Sequence, residues 1–302
     1  MPNTFEKTQI FQTLLDQQIT QEATSNFLEA NAGQVIYNGG DTVKIPTITT
    51  DGLSDYDRQT GYPSGAVTLA YETMKMTQDR AQSFNIDAMD VNETNYMVNV
   101  ANIMGVFQRE KVIPEIDLYR WNQIFLATNG AKHSTEKSLT KEIILDELQA
   151  DITAVEDKAG TRNGLVIVMN INTASLLNSA LDKKLDPVTF TSGEIHTEVK
   201  GLDGIPIIKV SSTRMNTKVT KDTSTKALKA AGAAINWLIF PQFAPIAVSK
   251  TDTVRIFSPN GEAGYPAYQG ANAWHVDYRK FHDIWIPKNR LDAFYAHVDP
   301  AA

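Results

Sequence analysis

Residues 51–65, DGLSDYDRQTGYPSG, hold three glycines, one proline and only Leu53, Tyr56 and Tyr62 as large apolar groups. A fifteen-residue stretch this polar cannot be core, and loops of this length are usually functional. Strand-forming sequence flanks it on both sides. VIYNGGDTVKIP (35–46) predicts two short strands about a turn at Asn38-Gly39-Gly40-Asp41, residues that tolerate positive φ. The strand from Thr42 continues through Val43 and Ile45 towards Ile48. Pro46 cannot donate to a ladder, so the strand is at an edge or exposed there. A second strand is expected over 66–78, with Val67, Leu69 and Tyr71 on one face. Met74 and Met76 fall on the other, the pattern of a bulge, a twist or a change of neighbours. Two strands with a long polar tip make an arm. An isolated two-stranded arm is marginal in water, so it must lie on another subunit or on its own body.

The remaining pattern supplies that body. Phe11, Leu14, Leu15 and Ile19 recur at helical spacing and predict a short amphipathic helix, docked on its own domain or on a neighbour. Asn92–Thr128 is the longest helical stretch. Met97, Val100, Ala101, Met104 and Phe107 share one face, and Ile116, Tyr119, Ile124 and Phe125 continue an apolar side. Pro114 kinks the stretch or starts a second helix, and Asn129-Gly130 ends it. Unbroken, it would run about 50 Å. Ser138–Lys158 predicts a surface helix with Ile144, Leu148, Ile152 and Val155 buried and Ser138 or Thr140 as cap. GLVIVMN (164–170) is a buried strand leading into a helix near Asn172, with Leu176, Leu177 and Leu181. Another strand follows at Ile205–Val210. This strand–helix order indicates a small α/β domain over 138–210. Residues 216–229 are rich in Thr and Lys and predict a surface loop. Strands are expected at 235–240, 244–249 and 253–257, then a Gly/Pro/Asn loop at 258–272 and a long strand from Trp274 to Ile286.

The 302 residues carry net charge −7, unevenly placed. Residues 1–95 hold thirteen acids and five bases, and 96–302 hold twenty-two and twenty-three. Lys218, Lys221, Lys226 and Lys229 belong to a basic patch within 200–229. Two solvated faces explain the asymmetry; so does head-to-tail contact between unlike patches. The acidic total argues against a general nucleic-acid binder. Zero cysteine excludes disulfides, thiolate metal sites and cysteine nucleophiles. The first fifteen residues include Glu6 and no apolar core, so no signal peptide is expected there. No run approaches 18 apolar residues, and a soluble protein made in a cytoplasm is expected.

Catalytic patterns are not evident. There is no P-loop, dinucleotide-binding glycine turn or HExxH. In Gly61-Tyr-Pro-Ser-Gly65 the serine is one place late for a nucleophile elbow and lies in a loop. His275, Asp277, His282 and Asp283 cluster in sequence, but a strand puts His282 on the face opposite the other three. Asp51, Asp55 and Asp57 lack the glycine and final glutamate of a calcium loop. No catalytic residue, metal or cofactor is expected.

The segments Gly52-Leu-Ser-Asp-Tyr-Asp-Arg58, Gly61-Tyr62, Val67-Thr68 and Tyr71-Glu-Thr73 resemble the extended loop of tailed-bacteriophage major capsid proteins. Thr77-Gln-Asp-Arg80, Ser83-Phe84, Ile86-Asp87, Met89–Thr94, Gln108-Arg109 and Val112–Asp117 resemble that family's spine-helix region. Lys200–Val210, Arg214-Met215 and Val276–Trp285 resemble its later segments. The resemblance covers nearly the whole chain and implies an α+β capsid fold of the Hong Kong type. Its parts would be an N-terminal arm (1–34), an extended β-hairpin loop (35–85), a peripheral domain with the spine helix (86–132 and 250–302) and an axial domain (133–249). It implies a non-enzymatic shell protein forming hexamers and pentamers around double-stranded DNA, assembled in the bacterial cytoplasm and resident in the phage head. It also implies a portal protein at one vertex, and a separate scaffolding protein or none. The implied assembly residues are Asp51, Gly52, Asp55, Tyr56, Asp57, Arg58, Gly61 and Tyr62 at the loop tip, with Phe11, Leu14, Leu15 and Ile19 in the arm. Met97, Val100, Met104, Phe107 and Pro114 mark the spine helix. Lys44, Lys75 and several asparagines are present, but no motif places a covalent cross-link. An encapsulin-type compartment of the same fold is the nearest alternative. An α/β hydrolase is the alternative of another class.

Overall fold

The computed structural model describes residues 23–34, 36–37, 41–56, 58–59, 61–87, 100–162, 164–181, 186–192, 195–259 and 272–300, without the side chains of 36–37, 100–102, 186–192 and 195–200. The strands and helices run β1 (Ile36–Tyr37), β2 (Thr42–Thr50), β3 (Val67–Lys75), β4 (Gln78–Asp87), α1 (Val100–Phe107), α2 (Ile113–Gly130), β5 (Ser134–Glu136), α3 (Ile144–Ala159), β6 (Leu165–Asn170), α4 (Ile171–Ala180), β7 (Asp186–Ser192), β8 (Ile195–Leu202), β9 (Ile205–Val210), β10 (Asn216–Lys221), β11 (Leu228–Pro241), β12 (Ile246–Phe257), β13 (Ala273–Trp285) and β14 (Tyr295–Val298). Short 3₁₀ segments at Asn26–Gln34, Ser212–Arg214 and Lys288–Ala293 complete them. The mixed α+β class matches the sequence expectation.

Three sheets organise the described residues. β1-β2-β3 is the arm, β12-β13-β4 is a body sheet, and an eight-stranded sheet runs β5-β14-β11-β6-β9-β8-β7 with β10 on β11. β6 and β9 are parallel, and the chain between them runs through α4 and the antiparallel pair β7–β8. Every residue of β6 is buried, because it is covered on both faces. Val166 and Val168 face a core with Trp121, Leu238, Phe240 and Phe294. Leu165, Ile167 and Met169 face the other way, towards Ile144, Leu148 and Ile152 of α3.

α3 buries the four apolar residues its spacing selects. It starts at Ile144, after a turn, and no side chain caps it, so neither Ser138 nor Thr140 plays that part. α1 and α2 are not separated by a break. A π-helical turn, Gln108–Val112, carries one into the other, with Pro114 in the first turn of α2 where its missing N–H is harmless. α2 continues through Gly130, and Lys132 takes the left-handed backbone (φ 62°) just beyond it.

Two expectations are corrected. Residues 216–229 are not a loop: β10 and β11 pair antiparallel from Asn216↔Ala234 to Lys221↔Leu228. The turn between them is set by Asp222, whose carboxylate accepts from the backbone N–H groups of Ser224 and Thr225 and from the Ser224 hydroxyl. Gly232 (φ 76°) is required where β10 bulges, because a Cβ there would lie 2.5 Å from Thr217 Oγ1. The strands expected separately at 244–249 and 253–257 are one strand, β12, with a register shift between Ser249 and Thr251. Among the described residues no helix is long and apolar enough to cross a membrane.

Candidate assembly surfaces

The arm divides at Ile45. On the root side, Val43, Ile45 and Met76 pack with Ile246, Val248 and Phe281 of the body sheet. Beyond it, the pairs Pro46↔Tyr71, Ile48↔Leu69 and Thr50↔Val67 share one face. All six are exposed, including Ile48 at 66%, Val67 at 73% and Leu69 at 53%. The other face carries Thr47↔Ala70 and Thr49↔Thr68. The ribbon is therefore amphipathic, with its apolar side uncovered.

At the tip, Leu53 and Tyr62 stand fully in solvent, and Tyr62 meets Tyr56 at a ring separation of 5.1 Å. Asp51 closes the tip by accepting from Ala66 N–H (2.7 Å). Gly52, Asp55 and Arg58 are exposed nearby, and Gly61 holds φ 85°. Asp57 lies outside the described residues. Met74 lies opposite the face of Val67, Leu69 and Tyr71 in an unbroken register, so no bulge intervenes; of the alternatives the sequence left open it is the neighbours that change, because Met74 and Met76 pack with Val43 and Ile45 at the root.

Phe11, Leu14, Leu15, Ile19 and Met97 lie outside the described residues, and so does the side chain of Val100. Met104 is fully buried, and Phe107 packs edge-on against Phe84 and Tyr278. α2 is buried on more than its apolar side. Asp117, fully buried, accepts from Thr24 N (3.1 Å), Thr24 Oγ1 (2.6 Å), Ser25 N (3.1 Å), Ser25 Oγ (2.6 Å) and Arg214 Nη1 (2.9 Å). Arg120, also buried, donates to the Ser25 carbonyl and to Glu29. Residues 23–34, assigned to the arm from sequence, are thus tied to α2, and Leu28 enters the main core. Nothing in the apolar spacing of α2 selects Asp117 or Arg120; two charges on a helix with large apolar residues all round it were the available signal.

The basic residues occupy the β10–β11 hairpin. Lys218 and Lys229 share a face, Lys221 is on the other, and Lys226 sits in the turn at φ 58°. Lys229 is ion-paired with Asp222. Hydrogen bonding to Lys229, and then to the turn, holds the Asp222 carboxyl far below its ordinary range.

The sequence cluster 275–283 does not gather into one place. His275 pairs with Asp277 (2.9 Å) and contacts Asn85. Asp283 is buried and accepts from Thr77 and Tyr119 instead. His282 is buried, and that burial, with Arg120, Lys280 and Arg80 near it, pushes its imidazole well below the ordinary value. Among the described residues no group of three or more His, Asp or Glu side chains is placed to hold a metal. A cleft of about 500 Å³ opens between β4, the α1–α2 junction and the β10–β11 turn. In it Arg80 is bidentate to Glu115, and Lys280 is paired with Asp252 (2.7 Å).

No protein-family model matches the chain, and no curated protein does. Solved structures do. The bacteriophage PhiM1 mature capsid superposes with a TM-score of 0.60 at 11% identity, covering 88% of this chain and 84% of that one. The capsid of cyanophage P-SCSP1u gives 0.53 at 12% identity, covering 87% and 84%. The chain has the tailed-phage major capsid protein fold. A virus-like particle from Pyrococcus furiosus also shares this capsid fold, with a TM-score of 0.53 at 12% identity over 97% of this chain and 99% of that one.

Proposed function

We propose that the chain is the structural subunit of a phage head and assembles into hexamers and pentamers around double-stranded DNA without reading its sequence. The observation that carries this is the uncovered apolar face of the arm, from Pro46/Tyr71 to Thr50/Val67, continued by Leu53, Tyr56 and Tyr62. β3 is nine residues long, so the tip stands about 30 Å from the root and needs a surface on another copy. Contacts of one patch with a different patch on the next copy are heterologous and close into rings. The capsid fold shared with the PhiM1 structure supports the same role. Residues 1–34, 35–85, 86–132 with 250–302, and 133–249 then serve as N-terminal arm, extended loop, peripheral domain and axial domain, with the α1–α2 rod as the spine helix. Catalysis forms no part of this role. A portal at one vertex and a separate scaffolding protein are the partners to be sought, with assembly in the host cytoplasm. Electron microscopy and light scattering of the purified protein test it: closed shells, rings or sheets are expected, and a persistent monomer at high concentration refutes it.

The likeness to the Pyrococcus particle favours a second reading, a protein compartment of the same fold. The contents of natural particles separate the two: DNA with a portal and tail, or enclosed protein without them.

A further inference from the structure

Only Met76 and Thr77 join the last arm strand, β3, to the body strand β4. Met76 is held in the apolar root cluster, and its N–H donates to the Asp41 carbonyl (2.8 Å). Thr77 is held differently. The Asp283 carboxylate, 3% exposed, accepts from Thr77 N (2.8 Å) and Thr77 Oγ1 (2.9 Å) through one oxygen. Its other oxygen accepts from the Tyr119 hydroxyl (2.8 Å) and from Ile284 N (2.8 Å). Thr77 Oγ1 and Tyr119 Oη are themselves 3.3 Å apart. One buried carboxylate therefore ties together the arm root, α2 and the body sheet.

We propose that Asp283 is a positioning residue for the arm: through Thr77 and Tyr119 it fixes the angle at which the arm leaves the body, and so the place where the tip meets the next subunit. The apolar root contacts are non-directional and hold the arm close without setting its direction. Hydrogen bonds to a carboxylate are directional and strong. The lever is long. For an arm of about 30 Å, a rotation of about 10° at Thr77 moves the tip about 5 Å, one strand spacing. An arm misdirected by that distance misses its contact, whereas the body of the subunit is unchanged. The consequence for assembly rests on the shell role proposed above; the angle itself does not.

The chain has no cysteine, so two introduced ones can be labelled without background. Spin labels at Leu53→Cys on the tip and Leu126→Cys on the exposed side of α2 report the distance between tip and helix in dilute, unassembled protein by pulsed electron resonance. The parent pair should give one narrow distribution. Asp283→Asn puts an N–H donor among groups that themselves donate and should shift or broaden the distribution by about 5 Å, the strand-spacing displacement. Thr77→Val and Tyr119→Phe, which each remove one hydroxyl and no charge, should do so in lesser degree and serve if Asp283→Asn does not fold. Distributions superimposable on the parent in the variants that fold overturn the proposal, whatever their melting temperatures. If the wild-type chain assembles, Asp283→Asn particles should differ in diameter or fail to close. If it never assembles, the shell role fails while the distance measurement still decides the angle.

Discussion

Ile48 stands directly opposite Leu69 across the arm, and each is more than half exposed. A cross-strand pair of this kind stabilises a sheet by about 0.2–1 kcal/mol, but burying both side chains against a partner would contribute several times that. Replacing both with threonine keeps β propensity and removes the apolar face. The double variant should melt within a few degrees of wild type and lose assembly, with the loss read as a collapse of the large-particle fraction in light scattering.

Deleting 52–64 joins Asp51 to Gly65, an Asp-Gly sequence suited to a tight hairpin turn, next to the Thr50↔Val67 pair. The body should fold as before, because none of the described residues among those deleted enters a core cluster. Shell formation should be blocked or weakened, since Leu53, Tyr56 and Tyr62 go with the deletion. Circular dichroism and negative-stain microscopy on one preparation separate the two effects.

Much of this architecture was legible because it is written in local period. The alternation of Val67, Leu69 and Tyr71, the four-residue spacing from Ile144 to Val155 and the run LVIVMN each specify one element without reference to any other. What was not legible depends on distant partners. The 216–229 hairpin was missed because NTKVTK holds a single apolar residue, Val219, so its strand character comes from pairing with β11; the Asx turn at Asp222 was a local clue. Asp117 is buried because Thr24 and Ser25, more than ninety residues away, come to it. The arm tip was identifiable by its polarity, but its uncovered apolar face required the strand register, which puts Ile48 and Leu69 on one side.

Asp117 predicts a different failure from the arm variants. Asp117→Asn retains the shape but leaves one oxygen where four hydrogen bonds from Thr24 and Ser25 and the Arg214 ion pair converge. Breaking one partner of a buried ionic network costs about 3–5 kcal/mol. The variant should be much less stable, and residues 23–34 should become the first site of limited proteolysis, detected by mass spectrometry of the early fragments.

Asp151 makes stability depend on pH. It lies on the buried face of α3 and accepts from Trp237 Nε1 (2.8 Å). Burial pushes its carboxyl up to about 7; the Trp237 hydrogen bond opposes that and the Glu147 charge adds to it. The folded state therefore keeps this proton to near neutrality, whereas the unfolded chain releases it at the ordinary carboxylate value of 3.8. Between those values the folded state binds more protons, so this contribution to stability is full below about pH 4 and falls as pH rises towards 7. His297 acts in the opposite sense, because burial lowers its imidazole, and the unfolded chain then takes up the proton first as pH falls. Comparison with Asp151→Asn cancels the histidine term. The amide oxygen still accepts from Trp237 but carries no charge at any pH. Urea unfolding at about pH 3.5, below the unfolded value, should find the two proteins close, and at pH 8 the variant should be more stable by on the order of 2–4 kcal/mol. Equal stability at pH 8 would show that the Asp151 carboxylate is solvated in the folded protein.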